Sequence, residues 1–344
     1  MSVEIGVATL SDRQPRTVDG RVVSVAARLA QIVELGMRAD ALGLDVFGVG
    51  EHHGPGFVVS SPVPVLSAIA ARTERIRLTS AVTVLGVHDP VRLYQDFATL
   101  DLLSSGRAEI AVGRSAYPEP FALFGADIAR YDELFAERLE LLLRLRAEPV
   151  VTWRGAFRPA LHGAEVIPRA VQDPLPVWIG AGGSPGSVIR AGALGLPLTL
   201  GYLGGTPEHL RRLVDLYREA GRRAGHADAL RVGIAAHYLS TDAPADAYPH
   251  YHDFLRPKRP GGPGYEVSRE AFTAGLDAGQ PLMIGTAEHV TEKLRELYDA
   301  VTFDRILLLV DWGGLPGPAV EESLDRLGTR IAPALRRTLT AAAV

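Results

Sequence analysis

The amino-acid sequence predicts a (β/α)8 TIM barrel, an α/β fold in which eight parallel strands alternate with eight helices. Short apolar runs of strand length alternate along the 344 residues with longer segments whose apolar residues recur at helical spacing, and eight of each can be counted. No linker or shift in composition divides the chain, and barrels of this length commonly form one domain. We therefore expect a single barrel domain over residues 1–344.

The predicted strands are continuous apolar runs rather than alternating ones, which is typical of parallel strands covered on both faces. They occupy residues 3–9, 44–50, 76–85, 107–114, 177–181, 196–202, 232–239 and 305–311. The predicted helices occupy residues 24–42, 64–72, 90–103, 132–146, 187–194, 207–224, 286–300 and 319–337. The repeated order of strand and helix favours parallel pairing through helical crossovers.

Local signals support several of these helix boundaries. Gly43 follows the first helix and Gly106 the third, where a glycine can adopt the left-handed conformation that ends a helix. Asp89 and Pro90 are suited to the N-cap and first position of the third helix. We interpret Asp89 as structural, together with its neighbour His88.

Two insertions interrupt the repeat. Residues 149–174 precede the fifth strand and are expected to form a small hairpin. Residues 241–281 follow the seventh strand and include a run rich in Pro and Gly at 256–264. Because this second insertion is long, irregular and at the catalytic face, it is expected to be either a lid over the active site or a surface loop.

Composition excludes several classes of function. The chain has no cysteine and a net charge of −4, so disulfides, thiolate metal sites and an overall basic field for nucleic acid are excluded. No uninterrupted apolar segment is long enough to suggest a membrane span, and the first ten residues resemble a strand rather than a signal peptide. We expect a soluble cytoplasmic protein that binds neither nucleic acid nor membranes.

Glu51, His52 and His53 directly follow the second strand, at the end of the barrel where catalytic residues lie. Adjacent residues of an extended segment point in opposite directions, so the two imidazoles do not form a metal site. One histidine is expected to face the barrel mouth, and the other to support the rim with Glu51. The alternative, in which all three are structural, is weaker because two adjacent histidines at this strand end lie where catalytic residues are found.

An anion site is predicted at the ends of the fourth and fifth strands. The segment 180–187 is rich in glycine and serine and leads into a helix, whose N-terminal amides favour an anion. Alone this is a weak signal, because such turns are common. Arg114 ends the neighbouring strand, however, and a guanidinium beside a helix N terminus makes a good phosphate site.

Other residues at the same face are candidates for ligand contact. Ala81 and Val82 lie where the third strand ends, and small side chains there leave room for a flat ring. Asp311 and Trp312 follow the eighth strand and are candidates for the substrate pocket. For the residues around Ala81, ordinary strand packing is the interpretation that the sequence alone favours.

Taken together, these motifs resemble the bacterial luciferase-like flavin monooxygenases. The resemblance covers most of the chain apart from the two insertions, and it depends on the order of the motifs rather than on any one of them. The matching segments are 43–53, 71–78, 89–92, 100–107, 113–114, 124–125, 176–197 and 284–286.

The resemblance implies a barrel that binds FMN at its C-terminal face. Arg114 with Gly182, Gly183, Ser184 and Ser187 would hold the phosphate. Ala81 and Val82 would lie against the isoalloxazine ring, where relatives carry a non-prolyl cis peptide. His52 would handle protons near the reactive flavin carbon, beside Glu51 and His53. The variable pocket of the family would include Tyr117, Phe121 and Tyr202.

The implied activity is that of a two-component monooxygenase. A separate reductase would supply reduced FMN (FMNH2), which would react with O2 through a flavin C4a-peroxide to oxygenate a small organic substrate. A homodimer packed through the regions 51–65 and 90–103 is also implied. Light-emitting members carry a cysteine where this chain has Gly113 and an acidic residue where it has Gly182, so light emission is not expected.

Two other functions remain open at this point. An F420-dependent oxidoreductase would keep the barrel and replace oxygen activation by hydride transfer. A catalytically silent partner subunit would belong to a different class, and the presence of both Arg114 and the 51–53 motif argues against it.

Overall fold

The computed structural model describes residues 3–13, 23–115, 117–256 and 264–341. Its strands and helices alternate as predicted. The strands are β1 (Glu4–Thr9), β2 (Val46–Val49), β3 (Arg77–Ser80), β4 (Thr83–Val84), β5 (Ala108–Gly113), β6 (Val150–Trp153), β7 (Leu161–Glu165), β8 (Val177–Ala181), β9 (Leu198–Gly201), β10 (Val232–Ser240), β11 (Met283–Gly285) and β12 (Arg305–Leu309).

The helices pack around these strands. They are α1 (Val25–Ala41), α2 (Pro62–Ala70), α3 (Pro90–Leu103), α4 (Glu119–Leu123), α5 (Tyr131–Ala147), α6 (Pro185–Ala193), α7 (Pro207–Arg223), α8 (Tyr248–Leu255), α9 (Arg269–Leu276), α10 (Ala287–Val301), α11 (Gly317–Arg326) and α12 (Ala332–Ala341). None of the helices in the described ranges is both long enough and apolar enough to cross a membrane.

Parallel strands close into an eight-stranded barrel, in which β3 and β4 share one position, and this confirms the predicted fold. The order around it is β1, β2, β3 with β4, β5, β8, β9, β10 and β12, and β12 pairs with β1 to complete the ring. Ile5 lies opposite Ile306 where the ring closes, and Gly6 lies opposite Val46 on the other side of β1. The parallel register places all eight strand ends, with the loops that follow them, at one face.

The sequence located every barrel strand, and the differences are local. The predicted third strand is divided between β3 and β4 by a cis peptide bond joining Ala81 to Val82. β11 was not predicted; it adds to the end of β10, with Tyr238 opposite Met283. The last predicted helix, residues 319–337, corresponds to α11 and α12, which are joined by a π-helical turn at Leu327–Ile331. α11 begins earlier than predicted, at Gly317.

Both insertions are where the sequence placed them. The first forms an antiparallel hairpin of β6 and β7, with Val150 opposite Glu165. The second contains α8 and α9, which were not predicted. Most of its Pro- and Gly-rich run, residues 257–263, lies outside the described residues, so the expectation of a lid stays a prediction.

A buried ion network fills the barrel at the N-terminal ends of the strands. The Arg305 guanidinium pairs with Glu109 at 2.6 Å and Glu4 at 2.8 Å, and lies 4.1 Å from the ring centroid of Trp178. Burial would raise the pKa of Glu109, but Arg305 and Arg77 outweigh it and lower that pKa. The network occupies the end of the barrel associated with stability and leaves the other for a ligand.

Candidate active site

A cavity of about 470 Å³ opens at the C-terminal face and extends into the barrel. This volume lies in the usual range for small-molecule and cofactor sites, roughly 300–1,000 Å³. Most of its walls are small or aliphatic side chains, including Ala8, Leu10, Ala81, Val82, Ala111, Gly113, Gly180, Gly201, Ala235, Leu307 and Leu309. Small residues at these inward positions leave open a space that bulky branched side chains fill in many barrels.

Val82 shapes one wall of this cavity. Its side chain packs between two strands, because a Cβ built on Gly113 or on Gly180 would lie 2.5 Å from a Val82 methyl carbon. The absence of side chains at both glycines therefore allows Val82 to occupy that space. The Ala81–Val82 peptide, which is cis as the resemblance implied, lies at the cavity wall.

Arg114 provides the positive charge at the mouth of the cavity. It directly follows β5, and its Nη1 lies 2.5 Å from Oδ1 of Asp132 at the start of α5. Its guanidinium carbon also lies 4.9 Å from the ring centroid of Tyr131, which lines the cavity too. These contacts orient the guanidinium, and the Asp132 carboxylate compensates its charge.

The loop 182–187 lies on the same side of the cavity. Ser184 is the N-cap of α6, and Pro185 is the first helical residue. The Ser184 side chain makes no capping hydrogen bond. Gly183 has φ of +118°, a conformation that glycine adopts without strain. Gly182, Ser184 and Ser187 line the cavity near Arg114. Hydroxyls, helix amides and a guanidinium together suit a phosphate group.

Glu51 lies at the centre of a buried hydrogen-bonded group. Its carboxylate accepts from His53 Nε2 at 2.8 Å, contacts His88 Nε2 at 2.9 Å and accepts from the Val84 amide at 3.2 Å. Burial would raise the pKa of Glu51, but the bonds to His53 and His88 outweigh it, so the pKa is lowered. Glu51 is therefore an ionised carboxylate at neutral pH.

His52 points away from that group. Its ring stacks on Phe57 at 3.9 Å and meets the ring of Tyr117 edge-on at 5.7 Å. It lines a second cavity together with His53 and His88, rather than the first. A Cβ on Gly50 would nonetheless lie 3.1 Å from His52 Cε1 and 3.2 Å from the Ala81 carbonyl oxygen. The imidazole thus adjoins the wall between the two cavities.

The electrostatic state of His52 follows from its surroundings. Burial lowers its pKa to about 4, with only partial compensation from Glu51 and the Leu10 backbone, so the ring is neutral at pH 7. Nδ1 has no hydrogen-bond partner among the described residues. A neutral imidazole with a free ring nitrogen can exchange a proton or a hydrogen bond with a bound molecule.

The residues predicted for the substrate pocket are divided by the structure. Tyr117 adjoins His52, and burial raises the pKa of its hydroxyl. None of the five residues lines either of the two cavities, and the other four are buried with packing or polar partners. Phe121 packs near Gly86; Tyr202 donates to the Gly279 carbonyl at 3.1 Å; Asp311 pairs with Arg28 at 2.5 Å; Trp312 donates to the Leu309 carbonyl at 3.1 Å.

Two histidines have surroundings that the sequence did not predict. His88, interpreted as structural, bonds to Glu51 across adjacent strand ends. The sequence signal that could have indicated this bond is that Glu51 and His88 follow the second and third strands, which are neighbours in the barrel. His237 on β10 is 1% exposed, with neither ring nitrogen bonded to a described residue, and it lies among Tyr251, Phe254 and Trp312. No pattern in the sequence distinguished it from a core position.

No group of three or more His, Asp or Glu residues in the described ranges is arranged to hold a metal ion. The predicted elements of the site lie at one end of the barrel, in two adjoining parts. One is an apolar cavity with a cationic and amide-rich end, and the other is a buried carboxylate bonded to two imidazoles, with the His52 ring beside them. This arrangement can hold a planar molecule with an anionic end beside groups that transfer protons.

Comparison with known proteins identifies relatives over nearly the whole chain. Residues 3–305 match the family model described as luciferase-like monooxygenase. The 4-hydroxyprotoasukamycin monooxygenase of Streptomyces nodosus subsp. asukaensis is 28% identical over 329 residues, which cover 89% of this chain and 87% of that protein.

Solved structures share the fold at lower identity. The oxygenating constituent of 3,6-diketocamphane monooxygenase from Pseudomonas putida, in complex with FMN, has a TM-score of 0.77 and 19% identity, covering 97% of this chain and 99% of its own. An F420-dependent secondary alcohol dehydrogenase in complex with an F420–acetone adduct has a TM-score of 0.76 and 18% identity, covering 97% and 99%. At these identities the two structures support the fold alone.

Proposed function

The chain belongs to the luciferase-like monooxygenase family, and we propose that it is the oxygenase of a two-component system that uses FMNH2 and O2 to oxygenate a small organic substrate. The observation that carries this proposal is the cavity itself, which joins an apolar groove along Ala81–Val82 to a phosphate-compatible end at Arg114 and the loop 182–187. A flavin mononucleotide has those two parts, a flat ring system and a terminal phosphate.

The residues of the cavity fit FMN in chemical character. Arg114, Ser184, Ser187 and the first amides of α6 would hold the phosphate, and the Ala81–Val82 segment would lie against the ring. Gly182 and Gly183 leave the phosphate end uncrowded, since a Cβ on Gly182 would have no neighbour within 4 Å. When bound, reduced FMN supplies the electrons with which one atom of O2 enters the substrate and the other becomes water.

The protein's own part would be to position the cofactor and to move protons. His52, neutral and with Nδ1 unpaired in the described structure, would accept or return a proton beside the cavity wall. Glu51 would fix His53 and His88 and so keep the rim of the site in one arrangement. The apolar walls would exclude water from the ring.

Two partners follow from this proposal. A separate reductase would deliver FMNH2, and the similar protein from Pseudomonas putida is likewise the oxygenating constituent of its monooxygenase. A second copy of the chain would pack through the regions 51–65 and 90–103, as the family resemblance implied. The substrate would be a small organic molecule open to aldehyde oxidation, Baeyer–Villiger insertion or hydroxylation.

The phosphate contact gives the sharpest test. Replacing Arg114 by Ala should weaken FMNH2 binding about 10-fold or more, the usual effect of losing one charge-assisted hydrogen bond, while riboflavin affinity changes little. Arg144→Ala, at a half-buried position of α5 that does not line the cavity, is the matched control. Equal loss of FMN and riboflavin affinity in Arg114→Ala would show that Arg114 does not contact the phosphate.

The alternative cofactor is F420, for which the fold shared with the alcohol dehydrogenase is the supporting observation. Reduced F420 would transfer a hydride and would need no reaction with O2. Tight binding of F420 in preference to FMN would favour this second candidate.

A further inference from the structure

The phosphate end of the cavity has little net positive charge in its described side chains. Arg114 carries one positive charge, and Asp132 at 2.5 Å carries a compensating negative charge. Ser184 and Ser187 are neutral. A phosphate monoester carries about −1.5 to −2 at pH 7, so a further cationic or donor side chain beside this loop would strengthen its binding.

His209 lies in the position to supply it. It is the third residue of α7, and its amide donates to the N-cap Thr206 at 3.4 Å. α7 follows β9, which pairs with β8, so the N-terminal ends of α6 and α7 are neighbours. A Cβ built on Gly183 would have His209 Nε2 as its nearest atom, at 3.9 Å.

The imidazole of His209 is available for such a contact. Its side chain is exposed, and it forms no hydrogen bond or ion pair with another described residue. No side chain of Gly183 or Gly182 separates it from the loop. The adjacent Glu208 is directed elsewhere: hydrogen bonds with its own amide and with Thr206 lower the pKa of that carboxyl and place it at the N terminus of α7.

We propose that His209 is a further cofactor-binding residue, which donates a hydrogen bond from Nε2 to the terminal phosphate monoester bound at the loop 182–187. This inference rests on the proposed FMN function. Through His209, α7 would help to distinguish a cofactor that ends in a phosphate monoester from one that has no phosphate. Arg114 and His209 would then both contact the phosphate.

The test compares FMN with riboflavin, which differ only in the phosphate. Dissociation constants are measured for the wild-type chain, His209→Ala and His209→Arg, with His162→Ala, an exposed histidine of the hairpin, as the matched control. We expect His209→Ala to weaken FMN binding about 10-fold. Riboflavin affinity should stay within about 2-fold, the arginine variant should restore FMN binding, and the control should match the wild type.

Three adverse outcomes are distinguishable. Unchanged FMN affinity in His209→Ala, with a loss in Arg114→Ala, would overturn the role of His209 and retain the proposed function. A wild-type chain that binds FMN no more tightly than riboflavin would overturn both. A loss of riboflavin and FMN affinity together in His209→Ala would also overturn the inference, because it would show a general effect on the site.

Discussion

Val82 and Gly113 are in such close contact that no side chain fits between them: a Cβ at position 113 would lie 2.5 Å from Val82 Cγ2. Gly113 ends β5, the strand that leads directly to Arg114. The wall against which a flavin ring would lie and the cation that would hold its phosphate are therefore coupled through one glycine.

Replacing Gly113 by Cys, the residue that light-emitting members carry, should displace Val82 and with it the Ala81–Val82 peptide. We expect a loss of about 1–3 kcal/mol in the free energy of unfolding, the usual effect of overpacking, and weaker binding of both FMN and riboflavin. Urea unfolding and flavin titration measure these effects. Gly317→Ala, where a Cβ would have no neighbour within 4 Å, is the control. Unaltered stability and affinity in Gly113→Cys would contradict the coupling.

Replacing His52 by Ala should reduce product formation by about 100-fold or more, the usual contribution of a general acid or base. FMN affinity should change little, because His52 does not line the first cavity. The assay is single-turnover oxygenation of whichever aldehyde or cyclic ketone the wild-type chain accepts, and His162→Ala is the control. Full activity in the His52 variant would exclude it from proton transfer.

The pH dependence of stability should contain a contribution from His237. Burial lowers its pKa to about 4 in the folded chain, while in the unfolded chain it is near 6.5. Between these two pKa values the unfolded state binds more protons than the folded state. The contribution of His237 to the free energy of unfolding is therefore complete above pH 6.5 and is lost as the pH falls toward 4.

Substitution of His237 by Phe, which suits the aromatic surroundings, should remove that contribution. Between pH 7.5 and pH 5, the variant should lose about 2 kcal/mol less unfolding free energy than the wild type. Urea unfolding at the two pH values measures the difference. Identical pH dependence in both proteins would show that His237 does not titrate in this way.

Lys293 should hold α9 against α10. Its Nζ donates to the carbonyls of Gly275, Leu276 and Asp277 at 3.2, 2.8 and 2.6 Å, at the end of α9. Replacement by Met should remove these three hydrogen bonds, leaving each carbonyl one other partner, and speed amide hydrogen exchange in α9 about 10-fold to 100-fold. Arg295→Met, at the exposed face of α10, should leave α9 unaffected. Equal rates of amide hydrogen exchange in α9 of both variants would show that the Lys293 hydrogen bonds do not hold α9 in place.

The barrel could be predicted because its determinants are local. Each strand is a short apolar run, and signals such as Asp89 and Pro90 mark helix boundaries; Asp89 does accept hydrogen bonds from the amides of Val91 and Arg92. β11 escaped prediction because it has three residues and depends on pairing with the end of β10.

The site was predictable in position and less so in detail. Strand order placed Arg114 and the loop 182–187 together, since consecutive parallel strands end at one face. The orientation of side chains at the rim depends on tertiary contacts that no spacing encodes. His88 bonds to Glu51, and Asp311 turns to Arg28 instead of the cavity. Burial of Tyr202 and Trp312 likewise follows from packing between distant segments.

The most direct test of the central claim is an anaerobic titration of the wild-type chain with reduced FMN and, separately, with reduced F420. We expect FMN to bind more tightly than F420, and Arg114→Ala to weaken FMN binding while riboflavin affinity is preserved. Tighter binding of F420, or equal FMN affinity in the wild type and Arg114→Ala, would show that the cavity is not the FMN site proposed here.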